Sequence, residues 1–228
     1  ISWSSQSYIY FLFKRLLRLY PAFFFTITLI SIFRWLGFDY RQFPQASSWY
    51  HWWMNFKLDG LEYFLNTIFV HINLGGVTWT LRVIVIFSFL APMFYWLSQK
   101  LPAIANLIFV AALIYLSFGV LNIPGFRDLR YMYMFYLGLI IPQLKTVFER
   151  IPKQIVYITF PFLIYYLLIV RYQKNEYLGG VYESLICFVL LGLINYQPQI
   201  KFFNVLNNSF LQFLGKISYS VYLIHFSV

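Results

Sequence analysis

Three groups of polar side chains stand out in an otherwise greasy sequence, each with residue types and spacing that can do chemistry. Arg15 and Arg18 lie three apart in Lys14-Arg15-Leu16-Leu17-Arg18-Leu19-Tyr20-Pro21, so on a helix they share a face. Two guanidiniums so placed make a fork for a phosphate or a carboxylate, because arginine presents planar, paired donors. Ordinary charge anchoring beside a membrane is the plainer reading of the spacing alone. Arg82 is the single charge in the run Thr78–Pro92. A charge inside such a run costs about 3 kcal/mol at mid-bilayer and less near an interface, so Arg82 either snorkels to the headgroups or serves a site within the bundle. Ser218, Tyr222 and His225 fall at i, i+4 and i+7, one stripe of a helix. A polar stripe within a membrane helix faces protein or a cavity, and simple hydrogen-bonded packing accounts for it as well as a site does. Ser218 and His225 are separated by roughly 10 Å of helical rise, too far to act on each other as nucleophile and base.

Other chemistries find little support. His51, His71 and His225 have no close ligand spacing and Cys187 is the one cysteine, so no metal site is expected. No Gly-rich phosphate loop and no nucleophile elbow is present, and no bound cofactor is expected.

The elements that must hold these residues are membrane helices. The chain is 61% hydrophobic and 11% charged, against roughly a quarter charged in a soluble domain, so it cannot cover its surface with polar groups. The net charge is +10, but the basic residues are scattered, which argues against a nucleic-acid partner. The excess suits helix orientation, anionic lipid or an anionic substrate.

About seven spans are expected in an all-α, multi-span transmembrane bundle. They run Tyr20–Leu36, Trp79–Leu97, Pro102–Val120, Tyr131–Leu144, Gln154–Val170, Leu178–Asn195 and Phe210–Val228. Pro21, Pro92, Pro102, Pro152 and Pro198 fall near expected ends, and Pro161 lies inside a span, where it predicts a kink. Alternating the loops places nine basic residues with the N-terminal end (Lys14, Arg15, Arg18, Lys100, Lys145, Arg150, Lys153, Lys201, Lys216). Seven fall opposite (Arg34, Arg41, Lys57, Arg127, Arg130, Arg171, Lys174), which favours a cytoplasmic N-terminal end. The long connection between Gly37 and Thr78 is then external. Its Trp49, Tyr50, Trp52 and Trp53 suit an interface, and Leu61–Ile72 reads as a short re-entrant or interfacial helix. A single domain, residues 1–228, is expected. The missing initial Met and the apolar run at Val228 read as a piece of a longer chain.

Taken in order, three stretches resemble acyltransferase family 3, multi-span membrane enzymes that O-acylate sugars and cell-envelope polysaccharides. The family's F-x-x-x-R-x-x-R-x-x-P outline is similar to Phe11, Arg15, Arg18 and Pro21. Its W-[ST]-L-x-x-E-x-x-F-x-x-x-x-P pattern meets Trp79, Thr80, Leu81, Phe87 and Pro92. Its G-x-[IL]-S-Y-x-x-Y-L-x-H pattern meets Gly215, Ile217, Ser218, Tyr219, Tyr222, Leu223 and His225. The resemblance implies an acyl-coenzyme A donor, often acetyl-coenzyme A, that arrives from the cytoplasm with its phosphates on Arg15 and Arg18. It implies a sugar or glycan hydroxyl as acceptor. Trp79, Arg82, Ser218, Tyr222 and His225 would line the site, and Arg82 or Tyr222 would steady the oxyanion. A bacterial cell (inner) membrane is the implied location, with lipid around the helices.

Two departures accompany the match. The family's acidic residue, five after the tryptophan, falls on Ile84, and the family's catalytic histidine lies upstream of the arginine motif, where this chain has none. An inactive glycan- or lipid-binding relative, or a membrane transporter or flippase, are the rival readings.

Overall fold

The computed structural model describes residues 5–37, 45, 58–72, 74, 78–119, 127–169 and 176–224. Among them there are helices and turns and no strand. The helices are α1 (Ser5–Trp35), α2 (Gly60–Thr67), α3 (Thr78–Lys100), α4 (Ala103–Phe118), α5 (Met132–Ile140), α6 (Lys145–Glu149), α7 (Lys153–Ile169), α8 (Glu176–Tyr196) and α9 (Ser209–Ile224). Short 3-10 segments occupy Arg127–Tyr131, Ile141–Leu144 and Lys201–Asn207. The expected all-α architecture is what the chain adopts.

Among the described residues, three stretches are long and apolar enough to cross a membrane: Tyr8–Trp35, Thr78–Lys100 and Gly179–Tyr196. Ala103–Phe118 and Lys153–Ile169 are apolar but shorter. At 1.5 Å per residue they reach about 25 Å, short of a hydrocarbon core of about 30 Å. The chain is a membrane protein.

Two expectations about helix ends change. The first helix begins at Ser5, so the arginine motif lies inside α1 and not before it. Pro21 and Pro92 are interior to α1 and α3. Each removes one N–H from its helix, at the carbonyl of Leu17 and of Ser88, a cost that tertiary packing offsets. Pro161 is inside α7 as expected, and Pro102 stands at the N-cap of α4.

The chain forms two compact units, one of residues 1–89 with 212–228 and the other of residues 90–211. In the second unit a buried amide ties α3 to α4. Asn106 Nδ2 donates to the carbonyls of Ser98 and Leu101 at 3.0 Å each and to Gln143 Oε1 at 2.6 Å, while Tyr136 donates to Asn106 Oδ1. Gln197 does the same after α8, donating to the carbonyls of Phe148 and Ile151 at 2.6 and 3.1 Å. Buried backbone carbonyls between helices need such partners, since no water reaches them. The core of this unit holds Phe148, Val156, Phe160, Leu190, Leu193, Ile200 and Phe203.

Gly192 is where this core is tightest. A Cβ there would fall within the ring of Phe148, which is 5% exposed and packs against Phe188 and Tyr196. Gly192→Ala is therefore expected to destabilise by about 1–3 kcal/mol despite the higher helix propensity of alanine. Thermal unfolding in detergent reads the shift, and an unchanged midpoint would show that Phe148 has room to move.

Candidate functional site

The first unit is built on one apolar cluster: Phe23, Ile27, Ile30, Leu74, Leu81 and Leu223 are buried together. These six come from three separate helices and the turn before α3, so the cluster draws the sequence motifs into one place. Two hydrogen bonds fix the arrangement. Tyr219 Oη donates to the carbonyl of Leu19 at 2.7 Å, joining α9 to the arginine motif. The hydroxyls of Tyr222 and Thr80 lie 2.8 Å apart, joining α9 to the tryptophan motif. All three motifs thus meet through α9, although up to 200 residues separate the bonded partners.

Within α1, Arg15 is half-buried with its guanidinium 5.7 Å from the Phe11 ring, and Arg18 is exposed. They share a face, with Arg15 one turn before Leu19, where α9 is attached, and Arg18 next to it in sequence. Trp79 is half-buried in the first turn of α3. Arg82 donates from Nη1 to the carbonyl of Val70 at 3.3 Å. Ser218 is exposed and donates to its own helix, at the carbonyl of Gly215, 2.8 Å away. Tyr222 is thus the stripe member that reaches another helix, whereas Ser218 does not. His225 lies outside the described residues, as do His51 and Lys57. Ile84 packs against the apolar cluster, as do Tyr219 and Tyr222.

The helix α2 runs antiparallel to α1. Tyr63 bonds to Thr28 at 2.9 Å and lies against Trp35, while Phe69, just past the end of α2, stacks on Phe23 at 4.3 Å and meets Tyr20 edge-on. Of the stretch Leu61–Ile72, expected as a short re-entrant or interfacial helix, residues 61–67 are helical within α2. Tyr20 and Phe23 bracket the middle of the 28-residue apolar stretch of α1, so the turn that follows α2 packs against that part of the helix. Side chains serve the turn here. Leu74 N–H donates to Asn66 Oδ1 at 3.1 Å, Thr78 Oγ1 to the carbonyl of Ile72 at 3.3 Å, and Arg82 to that of Val70.

A family model described as an acyltransferase domain matches residues 2–228. The chain belongs to acyltransferase family 3. No curated protein and no solved structure matches it.

The Thr80–Tyr222 bond makes a testable coupling. Tyr222→Phe and Thr80→Val are each expected to cost about 0.5–1.5 kcal/mol, and the double variant less than their sum, because removing both partners leaves neither hydroxyl stranded. A double-mutant cycle by thermal unfolding measures it; strict additivity would mean the two hydroxyls do not bond.

Proposed function

We propose that this domain transfers an acyl group, acetyl in the simplest case, from acyl-coenzyme A to a hydroxyl of a sugar or cell-envelope glycan, in a bacterial inner membrane. The observation that carries the reading is the pair of bonds by which α9 holds the arginine and tryptophan motifs against one cluster. Arg15 and Arg18 take the donor's phosphates from the cytoplasmic side, as paired guanidiniums do. The acceptor oxygen attacks the thioester while a general base removes its proton. Arg82 or Tyr222 stabilises the oxyanion as it forms.

One observation favours a second reading, an inactive relative that binds glycan or lipid. Ile84 stands where the family carries an acid, and it packs on the apolar cluster, where it neither accepts a proton nor orients a base. Reconstituted protein supplied with labelled acetyl-coenzyme A and a cell-wall glycan extract separates the alternatives. Acceptor-dependent label transfer supports the enzyme. Saturable glycan binding without turnover supports the inactive relative, and solute movement across the vesicle wall without any coenzyme A supports a transporter.

A further inference from the structure

The second unit carries an open groove between α5 and α8. Two adjoining cavities, of about 110 and 280 Å³, share Met134 and Gly180 in their walls. The larger runs along both helices, past Leu137 and Ile141 on α5 and past Cys187, Phe188 and Leu191 on α8. On α5 its wall recurs at i, i+3, i+4 and i+7, and α8 repeats that spacing, so each helix turns one continuous face to it. From Gly180 to Leu191 the helical rise is about 16 Å, roughly half of a hydrocarbon core of about 30 Å. Glycines hold the groove open. Among the described residues, a Cβ on Gly138 would meet no atom within 4 Å, and one on Gly180 would meet the Tyr133 hydroxyl alone, at 3.9 Å.

The smaller cavity is the more polar of the two. It lies at the start of both helices, against Arg130 and Tyr131, which precede α5, and against Tyr133. The stretch of α8 that is long and apolar enough to span begins at Gly179. This end of the groove therefore stands at one membrane surface, among head groups, and the rest lies at the depth of acyl chains. Arg130 is fixed in place there. Its Nη2 donates to Tyr131 Oη at 2.5 Å, and its guanidinium lies 4.8 Å from that ring. Glu183, one turn along α8 from Gly180, lines the larger cavity. Both charges act on the Tyr133 hydroxyl, with opposite sign. An acid inside a membrane span is costly and as a rule marks a site for a cation. The groove thus offers a cation and an anion, both beside Tyr133, at the mouth of an apolar slot.

We propose that this groove binds one phosphatidylethanolamine molecule from the surrounding bilayer. Its phosphate sits on Arg130, because a guanidinium presents paired donors to phosphate oxygens. Its ammonium sits on Glu183, and one acyl chain lies along Leu137, Ile141, Phe188 and Leu191. A head group with both charges matches the two side chains, whereas the phosphatidylglycerol head, which is only negative, matches one. The lipid takes the place of protein packing between α5 and α8, so binding stabilises the folded unit.

The test is native mass spectrometry of the full-length protein in detergent. It is titrated with phosphatidylethanolamine, with phosphatidylglycerol, and with glycerophosphoethanolamine, which has the head group without the chains. One phosphatidylethanolamine per chain is expected to be retained, phosphatidylglycerol at least about tenfold more weakly, and glycerophosphoethanolamine not at all. Arg130→Gln and Glu183→Gln should each weaken phosphatidylethanolamine by about 10–100-fold. Gly138→Leu fills the slot, so it should abolish retention without lowering the lipid-free unfolding midpoint. With lipid at about 100-fold its Kd, the unaltered protein should unfold about 5–10 °C higher, and Gly138→Leu should not shift. Bound lipid should also slow alkylation of the Cys187 thiol in the slot. Equal affinity for the two lipids overturns the proposal, as does undiminished binding in Gly138→Leu or in either charge variant. Retention of the chain-free head group as tightly as the lipid overturns it too. Should Gly138→Leu not fold, Cys187 decides: alkylation at one rate with and without phosphatidylethanolamine leaves the slot without its lipid.

Discussion

Replacing both arginines, Arg15→Ala with Arg18→Ala, is expected to weaken coenzyme A binding by about 10²–10⁴-fold. Each charge-assisted bond to a phosphate contributes about 1.5–3 kcal/mol, and each 1.4 kcal/mol is about tenfold in affinity. Their unequal settings divide the effect. Arg15 is half-buried along the Phe11 ring, so its removal also exposes apolar surface, whereas Arg18 is exposed and its removal deletes charge alone. Arg18→Ala should therefore leave the unfolding midpoint in place while affinity falls, and Lys57→Ala should change neither. Calorimetric titration with coenzyme A measures this. Equal affinity in Arg18→Ala and Lys57→Ala would remove the phosphate fork from the mechanism.

What could be read in the sequence followed from local hydropathy. The runs Trp79–Leu97, Gln154–Val170 and Leu178–Asn195 lie within two or three residues of α3, α7 and α8, because each is apolar enough to define itself. Other features depend on contacts that no local pattern encodes. Lys14, Arg15 and Arg18 look like the edge of a span, yet lysine and arginine are good helix formers, and α1 runs straight through them. Glu62 and His71 are nine residues apart, a spacing that no continuous helix brings together. They meet because α2 stops at Thr67 and Phe69 turns left-handed. Tyr219 is part of the late motif but lies off the Ser218–Tyr222–His225 stripe, and its partner is a backbone carbonyl on α1 that leaves no trace in the sequence. The motifs told which helices matter, and the long-range bonds told how they are joined.

Phe23→Ala should be the most damaging single change in the first unit. Phe23 is 1% exposed at the centre of the apolar cluster, and truncating such a ring costs about 3–5 kcal/mol. For a chain of this size that corresponds to a fall in the unfolding midpoint of about 6–20 °C. Phe23→Leu, which keeps most of the apolar volume, should cost about half as much or less. The consequence reaches beyond the cluster, because the Phe23 ring is what Phe69 stacks on. Without that stack, the left-handed conformation at Phe69 keeps only its edge contact with Tyr20 and the backbone bonds to Leu65, and the turn relaxes more readily to an ordinary conformation that carries His71 away from Glu62. Glycine adopts a positive φ without steric cost, so Phe69→Gly added to Phe23→Ala should give less than the summed loss of stability of the two single variants. Full additivity would mean that the stack and the strain are independent, and that the turn holds its shape without the ring of Phe23.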